Sequence, residues 1–263
     1  MARQSQVTPF VGTIDGINFY KMGGKYYARK QAHKPRRGTK SYPGYIRFQE
    51  CSVELENASR ALRIFRLAFR DITPRAYSNE ISCLHNRMLQ VIMKGNRAPE
   101  NRIKLTGGNL GLLEGFDFNF YAKMSYVFRA PYHGRVDRKS GILSLYLPSF
   151  VPEEMIVAPE GTTHFSIISA GVAIDFESGL FETDIKESNL ISWGRRPFGD
   201  IEVDHVVAGN SNRHLFLAFG IKFYQRWPGE IYQIESGCFD VLTIINTNVV
   251  VSMLPIPGAG NLQ

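Results

Sequence analysis

Apolar and polar side chains alternate along residues 11–30, on either side of the pair Gly23-Gly24. This period of two is typical of β-strands, and paired glycines readily adopt the positive φ angles of a tight hairpin turn. The pattern therefore predicts an N-terminal β-hairpin. Residues 31–50 contain prolines, glycines and basic side chains without a regular apolar period, which predicts an extended basic arm.

The apolar period changes to that of an α-helix in residues 52–72. One predicted face carries Ala58, Ala61, Leu62, Phe65, Ala68, Phe69 and Ile72, and nearly the opposite face carries Arg60, Arg63, Arg66 and Arg70. Thr73 precedes Pro74, which predicts the end of this helix. A second helix is predicted from about Asn79 to Lys94, with His85 on its inward side as a structural histidine. The two helices are predicted to form an antiparallel pair.

Strands dominate the rest of the predicted fold. Residues 97–111 contain three glycines and predict a linker, and from Phe116 onward the apolar period is again two. The longest β-rich runs cover residues 164–176, 214–225 and 238–251. We therefore predict an α+β, mainly β fold that ends in an antiparallel β-sandwich of about eight strands. The predicted parts are the hairpin and arm (1–50), the helical pair (51–96), the linker (97–111) and the β-sandwich body (112–263).

Charge is divided unevenly along the chain. The 263 residues together have a net charge of +7. Residues 1–110 contain 20 lysines and arginines against 7 acidic residues, a net charge of +13, and residues 111–263 contain 11 against 17, a net charge of −6. Such a division indicates that the basic part binds either an external polyanion or acidic surface on the same or a neighbouring chain.

Cysteine spacing and hydropathy indicate the cellular compartment of the protein. Cys51, Cys83 and Cys238 are odd in number and far apart, so they predict neither a disulfide framework nor a zinc or redox motif. The sequence has neither an N-terminal apolar segment nor a run of about 18 apolar residues. These patterns predict a cytoplasmic protein, with neither export nor membrane insertion.

No sequence motif predicts catalysis, a cofactor or a metal ion. The six histidines lack the spacing of metal ligands. Alternation along a strand places Glu202 and Asp204 on one face and His205 on the other, which favours a surface cluster over a metal site. The sequence has no GxSxG elbow, and the glycine-rich residues 106–111 lack the lysine of a P-loop. We therefore interpret the protein as a non-enzyme, with a triad assembled from distant segments as the open alternative.

Basic side chains are the candidate interaction residues. The hairpin and arm interleave lysines and arginines with tyrosines, and single-strand nucleic-acid binders use this combination of positive charge and stacking rings. The guanidinium groups of the first helix also suit bidentate pairing with carboxylates of a neighbouring subunit. The predicted set is Lys25, Arg29, Lys30, Lys34, Arg36, Arg37, Lys40, Arg60, Arg63, Arg66 and Arg70.

Several short runs carry a family resemblance. They are Gly12-Thr13-Ile14-Asp15-Gly16-Ile17-Asn18-Phe19-Tyr20-Lys21 and Lys25-Tyr26-Tyr27-Ala28-Arg29-Lys30 in the hairpin, and Ala61-Leu62-Arg63 and Leu67-Ala68-Phe69 in the helix. Their order resembles an uncharacterised protein family of Bacteroidota, in which a similar hairpin precedes an arm, a helical segment and a β-rich remainder. The resemblance implies a bacterial source and no assigned activity.

Together these patterns predict a non-enzymatic structural subunit that self-assembles into a filament, tube or shell. Its partners would be other copies of itself, joined head to tail through the basic N-terminal part and the acidic β body. The alternative is a nucleic-acid-binding, coat or packaging protein that uses the same basic residues. A ligand-binding or catalytic β-sandwich is the third hypothesis, and it requires a pocket with convergent polar groups.

Overall fold

Two units make up the chain, residues 1–51 and residues 52–263. The computed structural model describes residues 2–3, 10–31, 52, 56, 59–73, 86, 110–119, 121–209, 211–234 and 239–248. The predicted basic arm, with Lys34, Arg36, Arg37 and Lys40, lies outside the described residues. The predicted second helix also lies outside them, apart from Asn86, which is helical and exposed.

The N-terminal unit contains an antiparallel sheet. Its strands are β1 (Ala2–Arg3), β2 (Gly12–Ile14), β3 (Ile17–Met22) and β4 (Lys25–Lys30). Their order across the sheet is β1-β4-β3-β2. Gly23 and Gly24, with φ angles of 57° and 76°, form the turn between β3 and β4, which confirms the predicted hairpin. A second turn at Asp15 and Gly16, also with positive φ angles, places β2 beside β3.

The second unit contains two antiparallel sheets. Their strands are β5 (His133–Asp137), β6 (Ile142–Leu147), β7 (His164–Ile174), β8 (Phe181–Glu187), β9 (Ile191–Ser192), β10 (Ile201–Val206), β11 (His214–Trp227), β12 (Glu230–Gln233) and β13 (Val241–Asn248). The smaller sheet has the order β10-β6-β5. The larger sheet has β7 and β11 at its centre, with β8 and β9 beside β7 and with β12 and β13 beside β11.

The larger sheet is covered on both faces. Ile168 and Val172 of β7 share a hydrophobic cluster with the helix of residues 59–68, here named α1. The alternate residues of β7, Phe165 and Ile167, pack instead with residues of the smaller sheet such as Leu145. All residues of β7 after His164 are therefore buried, which explains why its apolar side chains do not alternate with exposed polar ones. Its two serines, Ser166 and Ser169, are buried as well.

Helix α1 packs its predicted apolar face on the larger sheet. Phe65 and Phe69 are fully buried, and the Phe65 ring lies 5.9 Å from the ring of Phe118 and 5.4 Å from that of Phe216. The Thr73 hydroxyl donates a hydrogen bond of 2.6 Å to the Phe69 carbonyl, where the chain leaves the helical path. The predicted face is confirmed over the described residues, and Ala58 lies outside them.

The mainly β, α+β fold is confirmed, with nine described strands in the second unit. Its two sheets share hydrophobic clusters as a sandwich does, but α1 adds a third layer. The predicted strand that starts at Phe116 is wrong. Phe116 and Phe118 are buried as expected, but they follow a 3-10 helix (Leu110–Leu113) in an irregular segment along β13, with a single bridge between Asp117 and Thr243.

Within the described residues, no helix is both long enough and apolar enough to cross a membrane.

Candidate functional site

A serine, a histidine and an aspartate meet between the two sheets of the second unit. Ser169 Oγ of β7 lies 2.9 Å from His205 Nε2 of β10. His205 Nδ1 lies 3.5 Å from Asp184 Oδ2 of β8 without forming a hydrogen bond to it. The same carboxylate oxygen accepts a hydrogen bond of 3.0 Å from the Val206 N–H. These residues belong to three strands, so the sequence motifs did not reveal the cluster.

The three groups are arranged in the order of a hydrolytic triad. Unlike the nucleophile of a working triad, however, the serine is buried. Ser169 is 1% exposed and His205 is 0% exposed, so no substrate carbonyl reaches the Ser169 hydroxyl in this conformation. Burial lowers the pKa of His205, although the charge of Asp184 opposes the shift. The arrangement therefore acts as a polar contact between the two sheets, with a neutral imidazole.

One sequence prediction for this region is confirmed and another is wrong. Glu202 and Asp204 are exposed on the outer face of β10, and His205 points the other way, as alternation predicted. The prediction of a surface cluster fails for His205, because its side chain is fully buried against β7. A Cβ atom on Gly171 would lie 2.5 Å from the His205 Cβ, so only glycine at position 171 leaves room for the imidazole.

We expect Ser169 to be unreactive toward an alkyl fluorophosphonate, because the reagent must reach an exposed, activated hydroxyl. Intact-mass spectrometry of the native full-length protein is expected to show no adduct. A single adduct that is absent from the Ser169→Ala variant would contradict this prediction and would establish a reactive serine.

A second polar cluster ties β7, β8 and β11 together. The Glu187 carboxylate accepts hydrogen bonds from Ser166 Oγ at 2.6 Å, from Tyr224 Oη at 2.8 Å and from Lys222 Nζ at 2.7 Å. Burial alone would raise the pKa of Glu187, but the hydrogen bonds and charge of these three donors together lower it. Each group of the cluster is satisfied within it, which indicates a structural role.

The predicted basic residues of β4 are divided between the two faces of the N-terminal sheet. Residues directly opposite in an antiparallel pair share a face, and Tyr20 is opposite Tyr27. Lys25 and Arg29 share this face, and Lys30 lies on the other. The two tyrosine rings stack at 5.8 Å, and the Arg29 guanidinium lies 5.4 Å from the Tyr20 ring centroid. We name Tyr20, Lys25, Tyr27 and Arg29 the basic tyrosine face.

The described part of the N-terminal sheet has no buried residue between positions 10 and 31. Its large apolar side chains with exposures of 41–69% are Phe10, Val11, Ile14, Ile17 and Met22. Among the described strands, β2 pairs only with β3, so its other edge has no described strand beside it. Exposed apolar side chains next to an open strand edge are typical of a surface that another chain covers.

The predicted arginines of α1 are all exposed. A surface cavity of about 470 Å³ is lined by Ser59, Arg63, Arg66, Leu67 and Arg70. Arg70 pairs with Asp71 at 3.2 Å, but Arg63 and Arg66 form no ion pair with any described residue. The structure therefore brings three of the predicted cations together on one helix face, which gives the cavity a positive charge.

The outer face of the smaller sheet is acidic along β10, although Arg135 of β5 lies on the same face, and sequence analysis did not select this surface. Glu202 of β10 is opposite Tyr146 of β6, and Asp204 is opposite Ser144. The Tyr146 hydroxyl donates a hydrogen bond of 3.2 Å to Asp200 Oδ2. The negative charge of Asp200 is the main cause of the raised pKa of Tyr146. We name Tyr146, Asp200, Glu202 and Asp204 the acidic face.

No family model, curated protein or solved structure matches the chain. The resemblance to a family of Bacteroidota therefore stays a prediction. Among the described residues, no three His, Cys, Asp or Glu side chains are grouped to hold a metal ion.

Proposed function

We propose that this protein is a non-enzymatic structural subunit that self-assembles in the cytoplasm, with its N-terminal sheet bound to a neighbouring copy. The observation that carries the proposal is the sheet of residues 10–31, which buries no side chain and exposes Val11 and Ile14 beside a strand edge that no described strand pairs with. A small sheet is marginally stable in water without a layer packed on it. A second copy can supply that layer.

The division of charge favours contacts between unlike surfaces. The basic N-terminal part and the acidic remainder attract each other across two copies, and a head-to-tail contact of this kind repeats without a symmetry axis. Such growth produces a filament, a tube or a closed shell, depending on the rotation between copies. Nucleic acid would neutralise the basic residues, but it would not cover the apolar side chains of β2.

Light scattering and negative-stain electron microscopy of the full-length protein test this proposal at low and high salt, with and without nuclease. Ordered particles that survive nuclease are expected, and a Val11→Lys/Ile14→Lys variant is expected to remain monomeric. Leu180, which is 61% exposed in the second unit, provides the control, and Leu180→Lys is expected to assemble normally. A monomer under every condition would refute the proposal.

Polyanion binding is the second candidate function, and the arginine-lined cavity on α1 favours it. Arginine guanidinium groups bind phosphate oxygens through paired hydrogen bonds. Fluorescence anisotropy with a labelled single-stranded oligonucleotide tests this function, and Arg63→Glu/Arg66→Glu is expected to abolish any binding through the cavity. Particles that disappear on nuclease treatment would favour this function over assembly by protein contacts alone.

A further inference from the structure

We propose that the acidic face of one copy is the binding site for the basic tyrosine face of a second copy. The inference rests on the proposed self-assembly and identifies the two surfaces that would meet. Both surfaces consist of described residues on or next to strands, and the side chains of both are exposed or half-buried.

The acidic face has the properties of a receptor for a basic partner. The side chains of Glu202 and Asp204 are exposed, and they form no hydrogen bond or ion pair with any described residue. Val206 and Ile142 lie opposite each other on the same outer face, with exposures of 62% and 38%. Charge and apolar area thus occur together, and a protein partner covers both whereas small counterions cover only the charge.

The two faces match in spacing. Glu202 and Asp204 are alternate residues of β10, and Asp200 lies just before its first residue in the same alternation. Lys25, Tyr27 and Arg29 are alternate residues of β4. In extended chain each set covers about 13 Å, because the rise is about 3.3 Å per residue. Lys25 and Arg29 can therefore lie near Asp200 and Asp204 at the same time. The stacked tyrosines between the two cations would then face Tyr146.

A second copy is the partner that the charges favour. Residues 1–110 have a net charge of +13 and residues 111–263 a net charge of −6, so each chain carries both halves of the contact. Opposite charges across an interface speed association and disfavour the two alternative pairings of like surfaces. Assembly through this contact is expected to weaken as salt increases, since screening acts on exposed charges.

Charge reversal tests the contact in the full-length protein. The first variant is Lys25→Glu/Arg29→Glu, and the second is Glu202→Lys/Asp204→Lys. Each variant alone is expected to raise the protein concentration needed for assembly by about a hundredfold, because like charges then face each other. A mixture of the two variants in equal amounts is expected to restore assembly, since each reversed face then meets a complementary one.

A matched control carries the same change of charge elsewhere on the second unit. Glu154 and Glu177 are exposed, and Glu154→Lys/Glu177→Lys is expected to assemble as the unmodified protein does. Circular dichroism melting curves show whether each variant is folded, and rescue by mixing requires that both are. Assembly of either charge-reversed variant alone at the concentration at which the unmodified protein assembles would overturn this inference, and so would failure of their mixture to assemble.

The test separates this inference from the proposed function. If Val11→Lys/Ile14→Lys abolishes assembly but Glu202→Lys/Asp204→Lys does not, the protein self-assembles through another surface and the inference fails alone. If the unmodified protein is monomeric at every concentration, the proposed function and the inference fail together. A synthetic peptide of residues 17–30 that bound the acidic face of a protein that never assembles would identify a basic peptide as the partner and would overturn the assignment to a second copy.

Discussion

Replacing Phe65 by alanine is expected to lower the free energy of unfolding by about 3–5 kcal/mol. The side chain is fully buried, and its ring packs against the rings of Phe69, Phe118 and Phe216. Alanine would leave a cavity where α1 meets the larger sheet, and the flanking strands are held by hydrogen bonds that limit their collapse into it. Urea denaturation followed by circular dichroism measures the loss.

Leu67 provides the control for this substitution. It lies on the same helix two positions later, but it is 44% exposed, so Leu67→Ala is expected to cost less than about 1 kcal/mol. The difference between the two losses in free energy of unfolding then measures the packing of Phe65 on the sheet and not the helix propensity of alanine. Equal losses would contradict the placement of α1 described here.

The unfolding free energy is expected to fall by about 2 kcal/mol between pH 7 and pH 5 through His214 alone. Burial, helped by the charge of Arg138, lowers the pKa of His214 to about 4, and Asp175 only partly opposes this. In the unfolded chain the imidazole of His214 has a pKa of about 6.5. Between pH 6.5 and pH 4 the unfolded chain therefore binds a proton that the folded protein does not, and acid favours unfolding. The contribution of His214 to the free energy of unfolding is complete above pH 6.5 and is lost as the pH falls toward 4.

Urea titrations of the native protein and of His214→Gln at both pH values measure this contribution. The variant is expected to lose most of the pH dependence, with the remainder coming in part from His205, whose pKa is also lowered by burial. Asp175, whose pKa is lowered chiefly by the Ser178 hydroxyl, loses its contribution only below about pH 4. The same pH dependence in His214→Gln as in the native protein would refute the prediction.

Local sequence patterns predicted those elements in which buried and exposed residues follow each other at the regular spacing of a helix or a strand. The apolar face of α1 and of the turn that follows it, from Ala61 to Ile72, could be predicted from spacing alone, because one side packs on the sheet and the other faces solvent. The turn at Gly23 and Gly24 could be read because positive φ angles favour glycine. Alternation along the strand also predicted that Glu202 and His205 lie on opposite faces of β10, as they do.

The candidate sites depend on pairings that local patterns do not contain. Ser169 meets His205 only because β7 and β10 lie in different sheets that pack face to face, and nothing near either residue encodes that contact. The acidic face likewise requires the register of β10 against β6, which places Glu202 beside Tyr146. Phe116 and Phe118 alternate without forming a strand because their segment pairs with β13 over a single bridge. Backbone hydrogen bonds of both residues with β13, together with the burial of their rings, hold the segment in place.

The packing of α1 also affects how the protein is made. Phe65 is synthesised early, but its partner Phe216 lies about 150 residues later, which is about 8–30 s of translation at 5–20 residues per second. During that interval the apolar face of the helix has no sheet to cover it. We therefore expect chaperones that bind exposed apolar segments to bind the nascent chain. The yield of the protein in cells is then expected to depend on these chaperones as well as on the stability of the folded protein.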